Sequence, residues 1–378
     1  MNHASTARPS LLPPASAVLR VAAIWLAVAG LAVLDHVGVE DENVALDVTL
    51  FVLLFGLIMW GAFGVVHHAE ELAVRLGEPY GTLVLTLAVT IIEVSFIVSA
   101  MLSAGASVTL ARDAVFSVLM ITLNGVVGAC LLLGGLRHRE QTYNLHGAQA
   151  FLSVVIPLAS FALLLPNFTT SSRSGALSPL QSMVIGGLTL ALYMVFLAIQ
   201  TVRHAPDFRD PAEDLPHRAE RSPAGAERIV LARETMLLLL TLVPVVLLAE
   251  ELSDLARAGI AALQAPLPLA GLLVAILVLA PETVGALHAA LRNRLQRAVN
   301  IILGSALATI GLTIPAVLVL SVLGGVPVTL GLAGEEMLLL LVTLVVSALT
   351  FSGGRTNILQ GAVHLVMFLV FLLLIFDP

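Results

Sequence analysis

Two glutamates lie inside apolar runs of this chain, where an ionisable side chain is unexpected. Glu93 is in the run LTLAVTIIEVSFIVSAML, and Glu282 is in the run GLLVAILVLAPETVGAL. A carboxylate at the centre of a lipid-facing helix costs about 3 kcal/mol, so such a residue indicates a functional site. Carboxylate oxygens bind hard cations, and carboxylates also exchange protons. The two glutamates therefore predict a site for a cation, for protons, or for both in turn.

Threonines accompany the first glutamate along one side of its predicted helix. Thr82, Thr86, Thr90 and Glu93 follow one another at intervals of four, four and three residues, so they share one helix face. Such a stripe predicts a polar wall that leads to an ion site, with Thr90 as a candidate ligand. The alternative is that each threonine bonds to a carbonyl of its own helix.

Proline directly precedes the second glutamate. Pro281 removes a backbone donor and obstructs the carbonyl one turn earlier. In a broken helix, freed carbonyl oxygens can coordinate a cation, so Val278, Leu279 and Ala280 are candidates beside Glu282. The alternative is a simple kink, with Glu282 hydrogen-bonded to a neighbouring helix.

Each glutamate run is followed by an apolar run that contains small and polar residues. Asn124 is the strongest candidate ligand in the first of these, because an amide oxygen is a good neutral ligand for a hard cation. In the second, the polar positions on one face are Ser305, Thr309 and Thr313. For the hydroxyl residues, packing between helices is as good an explanation as coordination.

Two further acidic pairs occupy the tetrapeptide Ala-Glu-Glu-Leu, which occurs twice. Glu70 and Glu71 close one apolar run, and Glu250 and Glu251 close another. Their positions predict that they lie near the two membrane faces, where they could concentrate cations at the two entrances. Solvated helix ends explain the same residues equally well.

The composition defines the class of protein around these residues. The chain has 378 residues, of which 58% are hydrophobic and 11% charged, and its mean hydropathy is +1.02. Apolar runs of about 20 residues, the length that spans a bilayer, recur throughout. This predicts an all-α polytopic membrane protein. The single cysteine, Cys130, excludes an internal disulfide, and no basic patch with aromatic residues supports nucleic-acid binding.

The apolar runs predict eleven transmembrane helices, divided by one long polar segment. Residues 1–16 are predicted to be a disordered tail, 17–46 the first helix and an acidic outer loop, and 202–233 a cytoplasmic linker. Two five-helix repeats, 47–201 and 234–378, flank this linker. The predicted helices are 17–34, 47–66, 82–102, 114–133, 147–165, 180–201, 234–249, 268–291, 299–323, 327–352 and 358–376.

Arginine placement predicts the orientation of these helices. With a cytoplasmic N-terminus, fifteen arginines fall on the cytoplasmic side and three on the outer side, as the positive-inside rule requires. Because five is odd, the two halves must cross the membrane in opposite directions. That is the inverted-repeat arrangement of many secondary transporters, whose sites lie where the repeats meet.

Several segments resemble the bacterial calcium/proton antiporters of the calcium:cation antiporter superfamily. These are GEPYGTLVLTLAVTIIEVSFIVSAML, ARDAVFSVLMITLNGVVGACLLLGGLRHREQ, NIILGSALATIGLTIPAV and GGRTNILQGAVHL. The resemblance implies a ten-helix core of two inverted repeats plus one extra N-terminal helix. It also implies that Glu93 and Glu282 bind Ca²⁺ and H⁺ in turn, and that Asn124 and Ser305 are polar residues of the same site.

The chain departs from that family pattern beside both glutamates. Many members have Gly-Asn three residues before each glutamate, where this chain has Val89-Thr90 and Val278-Leu279. The absent amides leave the cation preference open. The sequence therefore predicts a secondary active transporter, not an enzyme, that exports Ca²⁺ in exchange for protons by alternating access, with Na⁺/H⁺ or K⁺/H⁺ exchange as the alternative.

Other classes of function make different demands on the sequence. An intramembrane metalloprotease would need a constellation such as His-Glu-x-x-His within a span, and the sequence has none. A passive channel would carry cations without proton coupling. The expected partners are inorganic cations and the lipid bilayer of the bacterial inner membrane. No cofactor is expected beyond the transported Ca²⁺ and H⁺.

Overall fold

The computed structural model describes residues 13–37, 44–77, 80–102, 107–172, 175–209 and 224–377. These residues form thirteen α-helices and one short pair of strands. The helices are α1 (Ala15–Val37), α2 (Val44–Leu76), α3 (Tyr80–Leu102), α4 (Leu110–Met120), α5 (Val127–His138), α6 (Leu145–Ala159), α7 (Pro179–Ala198), α8 (Ala224–Ala262), α9 (Pro268–Leu291), α10 (Leu295–Ala308), α11 (Ile314–Gly324), α12 (Gly334–Thr350) and α13 (Ile358–Phe376).

Two of the membrane passes are built from two α-helices joined by a π-helical segment. Ile121–Val126 joins α4 to α5, and Thr309–Thr313 joins α10 to α11. Within the described residues the chain thus makes eleven helical passes, as predicted. Ten of them are long and apolar enough to cross a membrane, and the other is the 17-residue helix α12. The all-α polytopic fold is confirmed.

The two halves run in opposite directions through the bundle. The first half comprises α2 to α7, and the second half comprises α8 to α13. We call the side of the bundle where α7 ends and α8 begins the linker end. At that end the strands β1 (Gln141–Thr142) and β2 (Arg355–Thr356) pair antiparallel and join the two halves.

Several helices begin at side chains that satisfy the free backbone N–H groups of the first turn. Asn144 accepts hydrogen bonds from the backbone of His146 and Gly147 at the start of α6. Ser178 and Asn357 begin α7 and α13, each forming a reciprocal pair with a glutamine three residues later. Such caps fix the helix ends that border the loops.

Two helices are longer than predicted from the apolar runs. Helix α2 continues to Leu76 rather than ending near residue 66, and α8 spans Ala224 to Ala262 rather than 234–249. Hydropathy detects only the apolar middle of such a helix, whereas the backbone hydrogen bonds continue into polar ends. Part of the predicted linker is therefore helical. Residues 1–12, most of the predicted N-terminal tail, lie outside the described part of the chain.

The glutamate-bearing helices lie at the centre of the bundle. Helix α3 packs on α2 and α8, and α9 packs on α4 and α10. Buried apolar residues of α2, α3, α8 and α9 pack together in one cluster. Glycines let other helices approach closely, since a Cβ at Gly128 of α5 would lie 2.9 Å from the backbone nitrogen of Leu365 in α13. The core thus holds α3 and α9 side by side.

Candidate cation site

Glu93 and Glu282 line one cavity, which enters the bundle from the linker end. The cavity has a volume of about 420 Å³, and both carboxylates lie in its interior. Glu93 is buried, with only 3% of its surface exposed. The inverted halves therefore bring together the two acidic residues that the sequence marks as functional.

One oxygen of Glu93 is held by the opposite half of the protein. The Thr309 hydroxyl, from the π-helical segment after α10, donates to Oε2 of Glu93 at 3.0 Å. The other oxygen, Oε1, is buried and has no hydrogen-bond partner among the described residues. Thr90 lies one turn earlier on α3 and also lines the cavity. Glu93 thus has one anchored oxygen and one that is available to a ligand.

Glu282 has a similar arrangement on α9. The Ser305 hydroxyl of α10 lies near its carboxylate and also lines the cavity. Its Oε2 atom is buried and, in the described part of the chain, has no partner. Helix α9 continues through Pro281 from Pro268 to Leu291. The predicted helix break is therefore not observed, and the carbonyls of residues 278–280 belong to an uninterrupted helix.

The donor atoms around the two glutamates are all oxygens. Carboxylates come from Glu93 and Glu282, and hydroxyls come from Thr309, Ser305 and Thr90. Among the described residues no group of three or more His, Cys, Asp or Glu side chains could hold a metal ion. Oxygen donors suit hard cations such as Ca²⁺, Na⁺ and K⁺, whereas zinc and copper sites favour nitrogen and sulfur.

On the side of the glutamates away from the linker end, the described helices pack through apolar side chains. Phe96, one turn beyond Glu93 on α3, is 1% exposed. It lies with Phe51 and Phe55 of α2 and Leu277 of α9 around a void of only about 20 Å³. In the part of the chain that the structure describes, the cavity that the two carboxylates line opens at the linker end, and apolar side chains pack on the other side of them.

Asn124 is predicted as a ligand, but it faces away from this cavity. It is fully buried, its amide nitrogen donates to the Thr343 hydroxyl at 2.9 Å, and its amide oxygen lies 3.2 Å from Nδ1 of His364. His364 in turn contacts the Thr350 hydroxyl at 3.0 Å. The amide is thus occupied by hydrogen bonds to α12 and α13, and it does not join Glu93 and Glu282 in this structure.

The four acids that were predicted at the two entrances differ in whether they line the cavity. Glu70 lines the cavity, near its opening at the linker end. Glu71, one residue later, lies 3.6 Å from Arg75. Glu250 and Glu251 are exposed on α8 and do not line the cavity. All four lie within helices that continue beyond them, because α2 and α8 are longer than predicted.

Residues of α6, α7 and the following turn form a wall of the cavity that the sequence did not indicate. Phe151, Phe196 and Phe208 form an aromatic cluster with ring centroids 4.9 to 5.8 Å apart. Tyr193 and Gln200 of the same region also line the cavity. Aromatic residues on an apolar helix give no signal that separates a cavity wall from lipid contact, so only the structure shows this role.

Comparisons with known proteins agree with the fold and with the class of protein. The sequence profile of the family described as sodium/calcium exchanger protein matches residues 46–202 and 234–376, which are the two halves on either side of the linker. The protein y4hA of Sinorhizobium fredii is 46% identical over 333 residues, covering 87% of this chain and 89% of that protein. The sodium-potassium/proton antiporter ChaA of Escherichia coli is 38% identical over 344 residues, with 88% and 90% covered.

Solved structures share the architecture at low sequence identity. Native YfkE superposes with a TM-score of 0.71 at 20% identity and covers 96% of this chain and 100% of its own. The H⁺/Ca²⁺ exchanger CAX gives 0.67 at 13% identity, with 95% and 89% covered. These two likenesses concern the fold alone. The family and fold are those of membrane-embedded cation antiporters rather than enzymes.

The chain belongs to the sodium/calcium exchanger protein family, within the calcium:cation antiporter superfamily. The resemblance found in the sequence is thereby confirmed. Members of this family carry inorganic cations across a membrane.

Proposed function

We propose that this protein exchanges a cytoplasmic cation for protons, with Glu93 and Glu282 as the shared binding groups. The observation that carries the proposal is that Glu93, which is buried, and Glu282, which is partly buried, line one cavity, each with a carboxylate oxygen that lacks a partner among the described residues. Each of these oxygens can accept either a proton or a cation. Family membership supports the transport class, and the site supports this particular chemistry.

Competition for the same oxygens would couple the two fluxes. Without a cation, two ionised carboxylates in one buried site repel each other and lose hydration, so the site favours protons. A cation between them neutralises the charge and displaces those protons. If the protein can change between its inward-open and outward-open forms only when the charge of the site is neutralised, each export of a cation is coupled to the entry of protons.

We propose Ca²⁺ as the exported cation, because two carboxylates balance one divalent charge. Thr309, Ser305 and Thr90 would add hydroxyl oxygens to the coordination. Na⁺ or K⁺ is the second candidate. It is favoured by the 38% identity to a sodium-potassium/proton antiporter and by the absence of amides at residues 90 and 279.

Purified protein in proteoliposomes tests the proposal. An outward-directed gradient of Ca²⁺, Na⁺ or K⁺ is imposed in turn, and proton movement is followed with a pH-sensitive dye. We expect Ca²⁺ to drive proton movement in the wild type, and Glu93→Gln and Glu282→Gln each to abolish exchange while keeping the wild-type elution profile. Normal exchange by either variant would defeat the assignment of the two carboxylates.

We also propose the bacterial inner membrane as the location, with the N-terminus and the linker in the cytoplasm. The support is the excess of arginine on the linker side, fifteen against three. In this orientation the cavity opens to the cytoplasm. Labelling of single cysteines placed at Val202 and at Leu263 in cells, in a Cys130→Ser background, tests it. Only the second position should react with an impermeant reagent added outside.

A further inference from the structure

The cavity carries charges of opposite sign at its two depths. Glu93 and Glu282 lie in the interior, whereas Arg209, Arg297 and Glu70 line the part at the linker end. We call these three residues the rim. Among the described residues, the rim thus places the Arg209 guanidinium at the end of the cavity away from the two carboxylates. A cation that enters from the linker end passes this positive charge before it reaches Glu93 and Glu282.

Arg209 is held at the rim by the residue before it. Phe208 is 7% exposed and packs against the rings of Phe151 and Phe196, with centroids 5.4 and 5.8 Å away. The Asn300 side chain donates to the Phe208 carbonyl. The 3₁₀ turn Ala205–Phe208, which follows the π-helical segment after α7, is thus fixed to α6, α7 and α10. This fixes the backbone of Arg209 beside the opening, although its side chain is exposed.

We propose that Arg209 is a specificity-determining residue that disfavours divalent relative to monovalent cations at the cytoplasmic opening. The proposal rests on the proposed cation exchange and adds a filter by valence to it. The positive charge of Arg209 lowers the local concentration of any cation beside it by a Boltzmann factor. Because the electrostatic energy is proportional to ionic charge, the factor for a divalent ion is the square of the factor for a monovalent ion.

The size of the effect follows from the position of the charge. Arg209 is exposed, so its field is screened by water and salt and is modest. Removing one such charge should lower the apparent KM for Na⁺ or K⁺ about twofold, and by the square rule that for Ca²⁺ about fourfold. The square relation between the two changes separates an electrostatic filter from a change in the shape of the site.

The test compares Arg209→Gln with a matched control, Arg203→Gln. Arg203 ends the π-helical segment after α7 and is exposed on the same side, but it does not line the cavity. KM is measured from the linker side in everted vesicles at about 0.01 M ionic strength and again at about 1 M with choline chloride. If one of the ions is not transported, its inhibition constant against the transported ion is measured instead. An apparent affinity is then known for both a monovalent and a divalent cation.

At low salt we expect Arg209→Gln to lower the apparent KM about fourfold for Ca²⁺ and about twofold for Na⁺ or K⁺. Both decreases should disappear at high salt, and the number of protons exchanged per cation should not change. Arg203→Gln should match the wild type. Equal changes for both valences, no change for either, or the same effect in Arg203→Gln would each overturn the proposal. Failure of the exchange mechanism itself would appear separately, as exchange that persists in Glu93→Gln.

Discussion

The hydrogen bond between Thr309 and Glu93 gives a quantitative prediction about cation affinity. It spans 3.0 Å in a buried site and joins the two halves of the protein. Thr309→Val keeps the shape of the side chain and removes the hydroxyl. A hydrogen bond to a charged group contributes about 1.5 to 3 kcal/mol. The bond stabilises the ionised carboxylate, which is the form that binds a cation, so its loss should weaken cation binding.

The expected change follows from that energy. At about 1.4 kcal/mol per factor of ten, the apparent KM for the cation should rise about tenfold to about hundredfold. Transport is measured in proteoliposomes over a range of cation concentrations at fixed pH. The matched control is Thr241→Val, since Thr241 is equally buried and donates to the Leu237 carbonyl of its own helix rather than to a residue of the cavity. A KM within twofold of the wild type, or an equal rise in the control, would refute the reasoning.

Three further substitutions test separate parts of the structure. Gly311→Ala should destabilise the protein by about 1–3 kcal/mol, because its Cβ would lie 2.6 Å from the Tyr193 ring; thermal unfolding in detergent measures this. Asn124→Ala should lower the unfolding temperature without changing the cation KM, since Asn124 does not line the cavity; an altered KM would support it as a ligand. His68→Leu should destabilise by about 1–3 kcal/mol, because buried Glu234 loses a hydrogen bond of 2.7 Å.

Two of these substitutions have a control, one for Gly311→Ala and one for His68→Leu. Gly187→Ala should leave the unfolding temperature unchanged, since a Cβ there would meet nothing within 4 Å. His67→Leu should have little effect compared with His68→Leu, because the neighbouring imidazole does not bond to Glu234. If a control changed the unfolding temperature as much as its partner, the assigned contact would not be the cause.

The sequence predicted the number of passes and the central acids because both depend on strong local signals. An apolar run of membrane length has few alternatives to a helix, and Glu93 and Glu282 are conspicuous within such runs. Thr90 and Ser305, which also line the cavity, follow from helical spacing next to those acids and from the family resemblance. The inverted relation of the two halves could be inferred because a half with five passes ends on the opposite side of the membrane from where it begins.

Other features depend on contacts between distant segments, which a single sequence does not show. The direction in which Asn124 points depends on the π-helical segment around it and on partners 219 and 240 residues away. The aromatic wall around Phe208 forms only when α6, α7 and the start of the linker meet. The ends of α2 and α8 were missed because polar helical residues look like a loop to hydropathy.

The central claim is that cation and protons compete for the oxygens of Glu93 and Glu282. The most direct measurement is the initial rate of cation uptake by wild-type proteoliposomes as a function of cation concentration at several values of pH on the same side. Competition predicts that a lower pH raises the apparent KM while the maximal rate at saturating cation stays constant. If lowering the pH reduced the maximal rate and left the apparent KM unchanged, protons would act at a different site, and this result would contradict the account.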